Sequence, residues 1–196
     1  MNKLHPSLKP HAEAVKPTLP PGDLWVFAYG SLMWNPGFEY LEHRSARLFG
    51  YHRSLCVWSY VHRGTVKKPG MVLGLDRGGS CCGHAFRIAS KDISTVTEYL
   101  YAREMPTTIY QAKLLPIHFG KPGSSAQALS FIVNRDHEQY AKKISPQYAA
   151  KQIQHAKGIS GSSQEYLSNT LEHLKQLGIT DHRLQNIADQ LKQLAN

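Results

Sequence analysis

Short strand-like runs separated by turn-forming residues fill the first two thirds of this chain and restrict it to a fold built around a sheet. The runs are rich in aliphatic and aromatic residues, which favour a pleated, half-buried strand. Clusters rich in Gly, Pro and Ser separate several of them, as at Gly78–Ser80 and Gly120–Ser124. The predicted strands are Leu24–Tyr29, Ala46–Trp58, Met71–Asp76, Cys82–Ile88, Tyr110–Phe119 and Gln127–Asn134. Such a series predicts a sheet that curls into a barrel.

One helix interrupts the strands. Ser90 is its predicted N-cap, and apolar residues follow at helical spacing. We expect the helix to end near Met105, because Pro106 disfavours the α conformation of the residue before it.

The last third of the chain is predicted to be helical, with three helices that pack on the sheet. Proline in a first turn, a capping box and glycine stops mark their ends. The predicted limits are Pro146 and Gly158 for the first helix, the Ser162–Glu165 capping box and Gly178 for the second, and a start at Thr180 or Asp181 for the third.

The composition indicates a globular protein. With 196 residues, 41% of them hydrophobic and 19% charged, the chain is long enough for one domain with a substantial core. We predict an extended, proline-rich arm over residues 1–22 and a single domain over residues 23–196. No stretch approaches the roughly 20 apolar residues that span a bilayer, and the arm lacks the apolar segment of a secretory signal. No membrane association is therefore expected.

Cysteine content and charge limit the cofactors and partners. Cys56, Cys81 and Cys82 are too few and too unevenly placed for a disulfide framework, which predicts a cytoplasmic protein. They also lack the second ligand pair of a zinc site, so we predict no metal and no other cofactor. The formal net charge of +9 comes from dispersed basic residues without the signature of a nucleic-acid-binding module, so no nucleic-acid partner is predicted. The oligomeric state is left open.

The segment Val26–Pro36 is the first candidate site. An apolar run ends in Tyr-Gly-Ser-Leu, where Gly30 can take a positive φ and allow a ligand close to main-chain amides. Successive N–H groups and the Ser31 hydroxyl can then bind an anion. The segment predicts a pocket for a small carboxylate or phosphate, and an edge strand ending in an ordinary turn is the alternative. Dinucleotide, P-loop and nucleophile-elbow motifs are absent.

Glu104 is the second candidate. A carboxylate at the C-terminal end of a helix opposes the helix dipole, at a cost of ~0.3–1 kcal/mol. One interpretation is an ion pair with a nearby Arg or Lys. The other is a carboxyl whose pKa is raised by the helix end and by partial burial, which suits a general acid/base. The residues alone leave both interpretations open.

Several segments, taken in order, resemble the ChaC-type γ-glutamylcyclotransferases, which act on glutathione. The resemblance extends from about residue 24 to about residue 190. It departs from the family pattern at residues 105–109 and in the loop 135–146. The segments that carry it are 26–39, Gly50–Arg53, His62–Thr65 with Lys68–Gly70, Tyr99–Glu104, Gly161–Leu167 and Leu174–Ile179.

The resemblance implies an α+β fold, with a small mixed barrel-like sheet and peripheral helices. It implies cyclisation of the γ-glutamyl group of glutathione, with release of 5-oxoproline and cysteinylglycine and with Glu104 as the acid/base residue. Other γ-glutamyl amino acids or amines as substrates, or a binding module without turnover, are the alternatives. The implied substrate-binding residues are Phe27, Ala28, Tyr29, Gly30, Ser31, Leu32 and Tyr110.

Arg63 is a further candidate, because its basic loop lies between two predicted strands and arginine can grip a carboxylate through two parallel hydrogen bonds. A solvated loop residue is the alternative. If Arg63 binds the glycine carboxylate of glutathione, Arg63→Ala should raise the Michaelis constant for glutathione and affect γ-glutamyl-alanine much less. Steady-state kinetics on both substrates test this. Equal losses would assign Arg63 to general structure or to the γ-glutamyl group.

Overall fold

The structure, a computed structural model, describes residues 16–195, so most of the predicted N-terminal arm lies outside the described residues. Within that range no helix has the length and apolar character needed to cross a bilayer. The strands are β1 (Leu24–Ala28), β2 (Glu42–Ser59), β3 (Gly70–Ile88), β4 (Tyr110–His118), β5 (Ser125–Val133), β6 (Lys157–Gly158) and β7 (Gly161–Ser162). The helices are α1 (Ile93–Glu104), α2 (Pro146–Ile153), α3 (Ser163–Gln176) and α4 (His182–Ala195).

The described chain divides into two compact units. We call residues 16–53 and 75–134 the barrel unit, and residues 54–74 and 135–195 the helical unit. β1, β4, β5 and α1 belong to the first, and α2, α3 and α4 to the second. The single domain expected over residues 23–196 stays a prediction.

Five strands form a closed barrel in the order β1-β3-β2-β4-β5. β1 pairs antiparallel with β3 and parallel with β5, and β4 pairs antiparallel with β5 along its whole length. The sheet is therefore mixed, and the α+β class with a mixed barrel-like sheet is confirmed. Large apolar side chains with almost no exposed surface fill the core of the barrel unit; among them are Leu24, Phe27, Ile88, Leu129 and Phe131.

β3 corrects one sequence prediction. The glycines at 78 and 79 were expected to separate two strands, but the strand is continuous from Gly70 to Ile88. Gly78 and Gly79 have φ values of +102° and +70°, which glycine adopts without strain. The His52 ring also hydrogen-bonds the Gly78 carbonyl at 2.8 Å. The glycines are thus accommodated inside the strand instead of ending it.

β1 leads directly to the candidate site and lies close against β3. Ala28, its last residue, pairs with His84. A Cβ atom at the neighbouring Gly83 would press on the Ala28 carbonyl oxygen and on the Phe27 ring. Glycine is therefore required at position 83 by the close approach of the two strands.

The start of α1 differs from the sequence prediction. A single 3₁₀ turn, Ser90–Asp92, precedes the helix, and Ser90 does not act as the N-cap. Instead, the Ser90 amide donates to the Asp23 carboxylate at 3.0 Å. The predicted end is confirmed, because α1 stops at Glu104 and the Met105 amide still bonds the Tyr101 carbonyl.

Most predicted ends in the helical unit are confirmed. Ser162 and Glu165 form the capping box of α3, Gly178 follows that helix with a φ of +69°, and the Asp181 carboxylate caps the first turn of α4. Gly158 as the end of α2 is wrong. α2 ends at Ile153, and Gly158 lies in the short strand β6.

Gly83→Ala should destabilise the protein by about 1–3 kcal/mol, because the added methyl must displace backbone atoms of β1 and not only a flexible side chain. Thermal or urea unfolding measures the change. Ser80→Ala, at an exposed position of the same strand, is the control and should shift stability by less than about 0.5 kcal/mol. Equal stability of both variants would contradict the close approach of β1 and β3.

Candidate active site

The chain leaves β1 at Tyr29 and turns through a single 3₁₀ turn, Ser31–Met33. The first backbone bond of that turn runs from the Met33 amide to the Gly30 carbonyl, at 2.9 Å. The amides of Ser31 and Leu32 come before it and so take no part in the hydrogen bonding of the turn itself. The positive φ expected at Gly30 is wrong, since its φ is −137°.

A buried arginine holds the start of this segment. Arg53, on β2, is only 3% exposed. Its Nε donates to the Tyr29 carbonyl at 2.5 Å, and its Nη2 donates to the Cys82 carbonyl at 2.7 Å. Arg53 was not predicted as a site residue, although it lies in one of the segments that carry the family resemblance. The contacts cross from one strand to another, which no local pattern reveals.

A second arginine holds the end of the segment. Arg103, in the last turn of α1, donates to the Ser31 hydroxyl at 3.0 Å and to the Asn35 carbonyl at 2.9 Å. The Ser31 hydroxyl, which the sequence predicts to bind an anion, thus already accepts a hydrogen bond from an arginine. It keeps its own proton for a further hydrogen bond.

Glu104 follows Arg103 and is paired with it. The Arg103 Nε lies 3.2 Å from the Glu104 Oε1, and the two side chains are 22% and 18% exposed. Burial raises the pKa of the Glu104 carboxyl, while the charge and the hydrogen bond of Arg103 act in the opposite direction. Both interpretations of Glu104 thus describe the same carboxyl, which is paired and yet has a raised pKa.

The structure brings Ser31 and Glu104 together through their shared partner, Arg103. The other predicted residues of the barrel unit vary in exposure. Phe27 and Ala28 are core residues without exposed surface, and Tyr29, Gly30 and Leu32 are also buried. Tyr110 is half-buried at the start of β4, where it pairs with Val133. A role of these residues in binding substrate stays a prediction.

Arg63 lies in the helical unit. Its guanidinium is 5.2 Å from the centre of the Tyr166 ring, and its carbonyl accepts a bond from the Ser163 hydroxyl at 3.0 Å. These contacts hold the loop of Arg63 against the first turn of α3. A contact of Arg63 with substrate stays a prediction.

The carboxyl, the two arginines and the turn of the barrel unit together suit proton transfer beside a bound anionic group. The Glu104 carboxyl, whose pKa is raised by burial, can accept or donate a proton. The two guanidinium groups place positive charge around the turn, and the Ser31 and Leu32 amides, which the turn itself does not use, can receive an oxygen atom. Among residues 16–195, no three His, Cys, Asp or Glu side chains are grouped to hold a metal ion.

Comparison with known proteins identifies the family. A family model described as "ChaC-like protein" matches residues 24–194, so the chain belongs to the ChaC-like family.

Curated relatives match over most of their own length. A glutathione-specific γ-glutamylcyclotransferase of Escherichia coli K12 is 33% identical over 88% of this chain and 74% of the relative. Glutathione-specific γ-glutamylcyclotransferase 1 of mouse is 31% identical over 94% and 86%. A crystal structure of a yeast γ-glutamylcyclotransferase specific to glutathione superposes with a TM-score of 0.79, over 88% of this chain and 96% of the other, at 23% identity. The last comparison confirms the fold.

Glu104→Gln should stabilise the folded protein at neutral pH. The folded-state pKa of Glu104 lies above its unfolded value, so ionisation opposes folding as the pH rises through that range. Glutamine resembles the protonated carboxyl and cannot ionise. The variant should melt at a higher temperature than the wild type near pH 7.5, and the difference should shrink below the ordinary carboxyl pKa of 4.5. A lower melting temperature at pH 7.5 would show that the Arg103 pair outweighs burial.

Proposed function

We propose that this chain is an enzyme that cyclises the γ-glutamyl group of glutathione and releases 5-oxoproline and cysteinylglycine. The observation that carries the proposal is the Glu104 carboxyl, which has a raised pKa and is joined through Arg103 to the turn after β1. The names of the bacterial and mouse relatives support glutathione as the substrate.

The reaction needs little from the protein because the substrate carries its own nucleophile. The α-amino nitrogen of the γ-glutamyl group attacks the γ-carbonyl carbon, and a five-membered ring forms as the C–N bond to cysteine breaks. An attack within one molecule has a high effective concentration when the substrate is held in a folded conformation. The protein must therefore fix that conformation and move protons.

Glu104 is the residue that moves them. As a carboxylate it takes the proton of the α-ammonium group, and as a carboxylic acid it returns a proton to the departing cysteine nitrogen. A raised pKa suits both steps, because it moves the carboxyl toward the working pH and so lowers the cost of holding the proton between the two transfers. No covalent intermediate is required.

The turn after β1 is our proposed cradle for the substrate oxygens. The amides of Ser31 and Leu32 can receive either the α-carboxylate or the oxyanion that develops on the γ-carbonyl. Arg53 holds the Tyr29 carbonyl and so fixes the start of the turn. The Tyr29 or Tyr110 hydroxyl can supply one further hydrogen bond.

We propose the cytoplasm as the compartment. Among the described residues Cys56, Cys81 and Cys82 form no disulfide, and so few, unevenly placed cysteines are typical of proteins in a reducing compartment.

The decisive experiment is incubation of the purified protein with glutathione, with 5-oxoproline and cysteinylglycine assayed separately. Equal amounts of the two products are expected. γ-Glutamyl-alanine tested in parallel separates a glutathione-specific enzyme from one that accepts γ-glutamyl amino acids in general. Glutathione binding without product would identify a binding module and contradict the proposal.

Glu104→Gln should lower turnover by at least ~100-fold, because an amide cannot shuttle a proton. Binding of glutathione should persist, since other residues position the substrate. Glu98→Gln, an exposed glutamate on the same helix, is the matched control and should retain activity. Activity of Glu104→Gln within about tenfold of the wild type, a barrier change of ~1.4 kcal/mol, would exclude Glu104 as the acid/base.

A further inference from the structure

We propose that Arg103 is a positioning residue whose single guanidinium couples the substrate-binding turn to the acid/base carboxyl of Glu104. The proposal rests on the proposed function for its kinetic consequences, but the coupling itself can be measured without turnover.

The contacts of Arg103 divide between the carboxyl and the turn. Its Nε faces the Glu104 carboxylate. Its two terminal nitrogens face the other way, and their acceptors are the Ser31 hydroxyl, the Tyr99 hydroxyl and the carbonyls of Asn35 and Pro36, at 2.7–3.4 Å. One planar group therefore spans the space between the acid/base residue and the segment that we assign to the substrate.

Tyr99 makes this arrangement rigid. Its hydroxyl accepts from the Arg103 Nη1 at 2.7 Å, one helical turn away. The same hydroxyl packs against Gly37, whose φ of +75° and lack of a side chain allow the tyrosine to approach. The guanidinium is thus held by its helix on one side and by the chain after the turn on the other.

The charge of Arg103 acts directly on Glu104. Among the residues that the structure describes, Arg103 is the charged group whose field and hydrogen bond favour the ionised carboxyl, against the burial that disfavours it. The turn and the residues just after it present neutral acceptors to Arg103: the Ser31 hydroxyl and two carbonyls. The Tyr99 hydroxyl, on α1 itself, is also neutral. Removing the guanidinium should leave burial unopposed.

A lysine cannot replace this group fully. Lysine carries its charge on one nitrogen, whereas arginine presents donors in a fixed planar fork. Arg103→Lys should keep part of the electrostatic effect and lose most of the simultaneous contacts to the carboxyl and the turn. Arg103→Met, of similar bulk, should lose both.

The first test is direct titration of the Glu104 carboxyl by NMR, with carbon-13-labelled glutamate and with Glu104→Gln to assign the signal. Arg103→Met should raise the pKa of Glu104 above the wild-type value, and Arg103→Lys should raise it less. Arg87→Gln is the matched control, because it removes an arginine paired with Asp23 and Glu42 in the same unit. It should leave the titration unchanged. An unchanged pKa in Arg103→Met would overturn the proposal, whatever the activity of the protein.

The second test is the pH profile of kcat/KM for glutathione. In Arg103→Met the acid limb should move to higher pH, following the carboxyl, while in Arg87→Gln it should stay in place. A uniform fall at every pH, with no shift of the limb, would assign Arg103 to structure alone. If Arg103→Met fails to fold by its melting curve, Arg103→Lys carries the same test with a smaller expected shift.

The third test concerns the link to the turn. Ser31→Ala removes the hydroxyl that Arg103 contacts, so Ser31→Ala and Arg103→Met should be non-additive. The double variant should lose little more in kcat/KM than Arg103→Met alone. Losses that multiply would show that the two residues act independently and would contradict the coupling. If the wild-type protein shows no turnover of glutathione, the proposed function is wrong. The NMR titration of Glu104 then still tests the role of Arg103.

Discussion

The buried guanidinium of Arg53 is the interaction on which the rest of the candidate site depends. The segment that follows β1 has few hydrogen bonds of its own, because it leaves the sheet at Tyr29 and completes just one short turn. An arginine with 3% exposure is costly to desolvate, and it is stable only where acceptors compensate its charge. The carbonyls of Tyr29 and Cys82 supply part of that compensation. Because the buried guanidinium needs these acceptors, it holds the Tyr29 carbonyl, and with it the start of the turn, in a fixed position.

Glu104 differs from Arg53, because its ionised carboxyl is not fully compensated and lowers the stability of the folded protein. A carboxylate at the end of α1 is disfavoured by the helix dipole and by burial, and its arginine partner offsets these effects without cancelling them. A chain selected for stability alone would place a neutral or basic residue there. Structure alone therefore gives no reason for an acid at position 104, whereas a role in proton transfer does.

Local patterns predicted much of this molecule. The capping box at Ser162 and the end of α1 at Glu104 depend on near neighbours, and both are found where expected. The errors have long-range or conformational causes. The 3₁₀ turn before α1 is bonded to Asp23, 67 positions before Ser90, and β3 runs through two glycines because glycine adopts a positive φ without strain. At the site, a shifted carboxyl was one of two open interpretations, whereas Arg53 was missed because its partners lie on distant segments.

The two ties between β1 and α1 have a mechanical consequence. Asp23, just before the strand, holds the start of the helical segment, and Ser31, just after the strand, is held by Arg103 at the end of the helix. A single attachment would let one element rotate about the other. Attachment at both ends restricts that rotation, so the orientation of α1 relative to β1 is fixed at two points. We therefore expect strand and helix to move together, so that the acid at the end of the helix stays beside the turn.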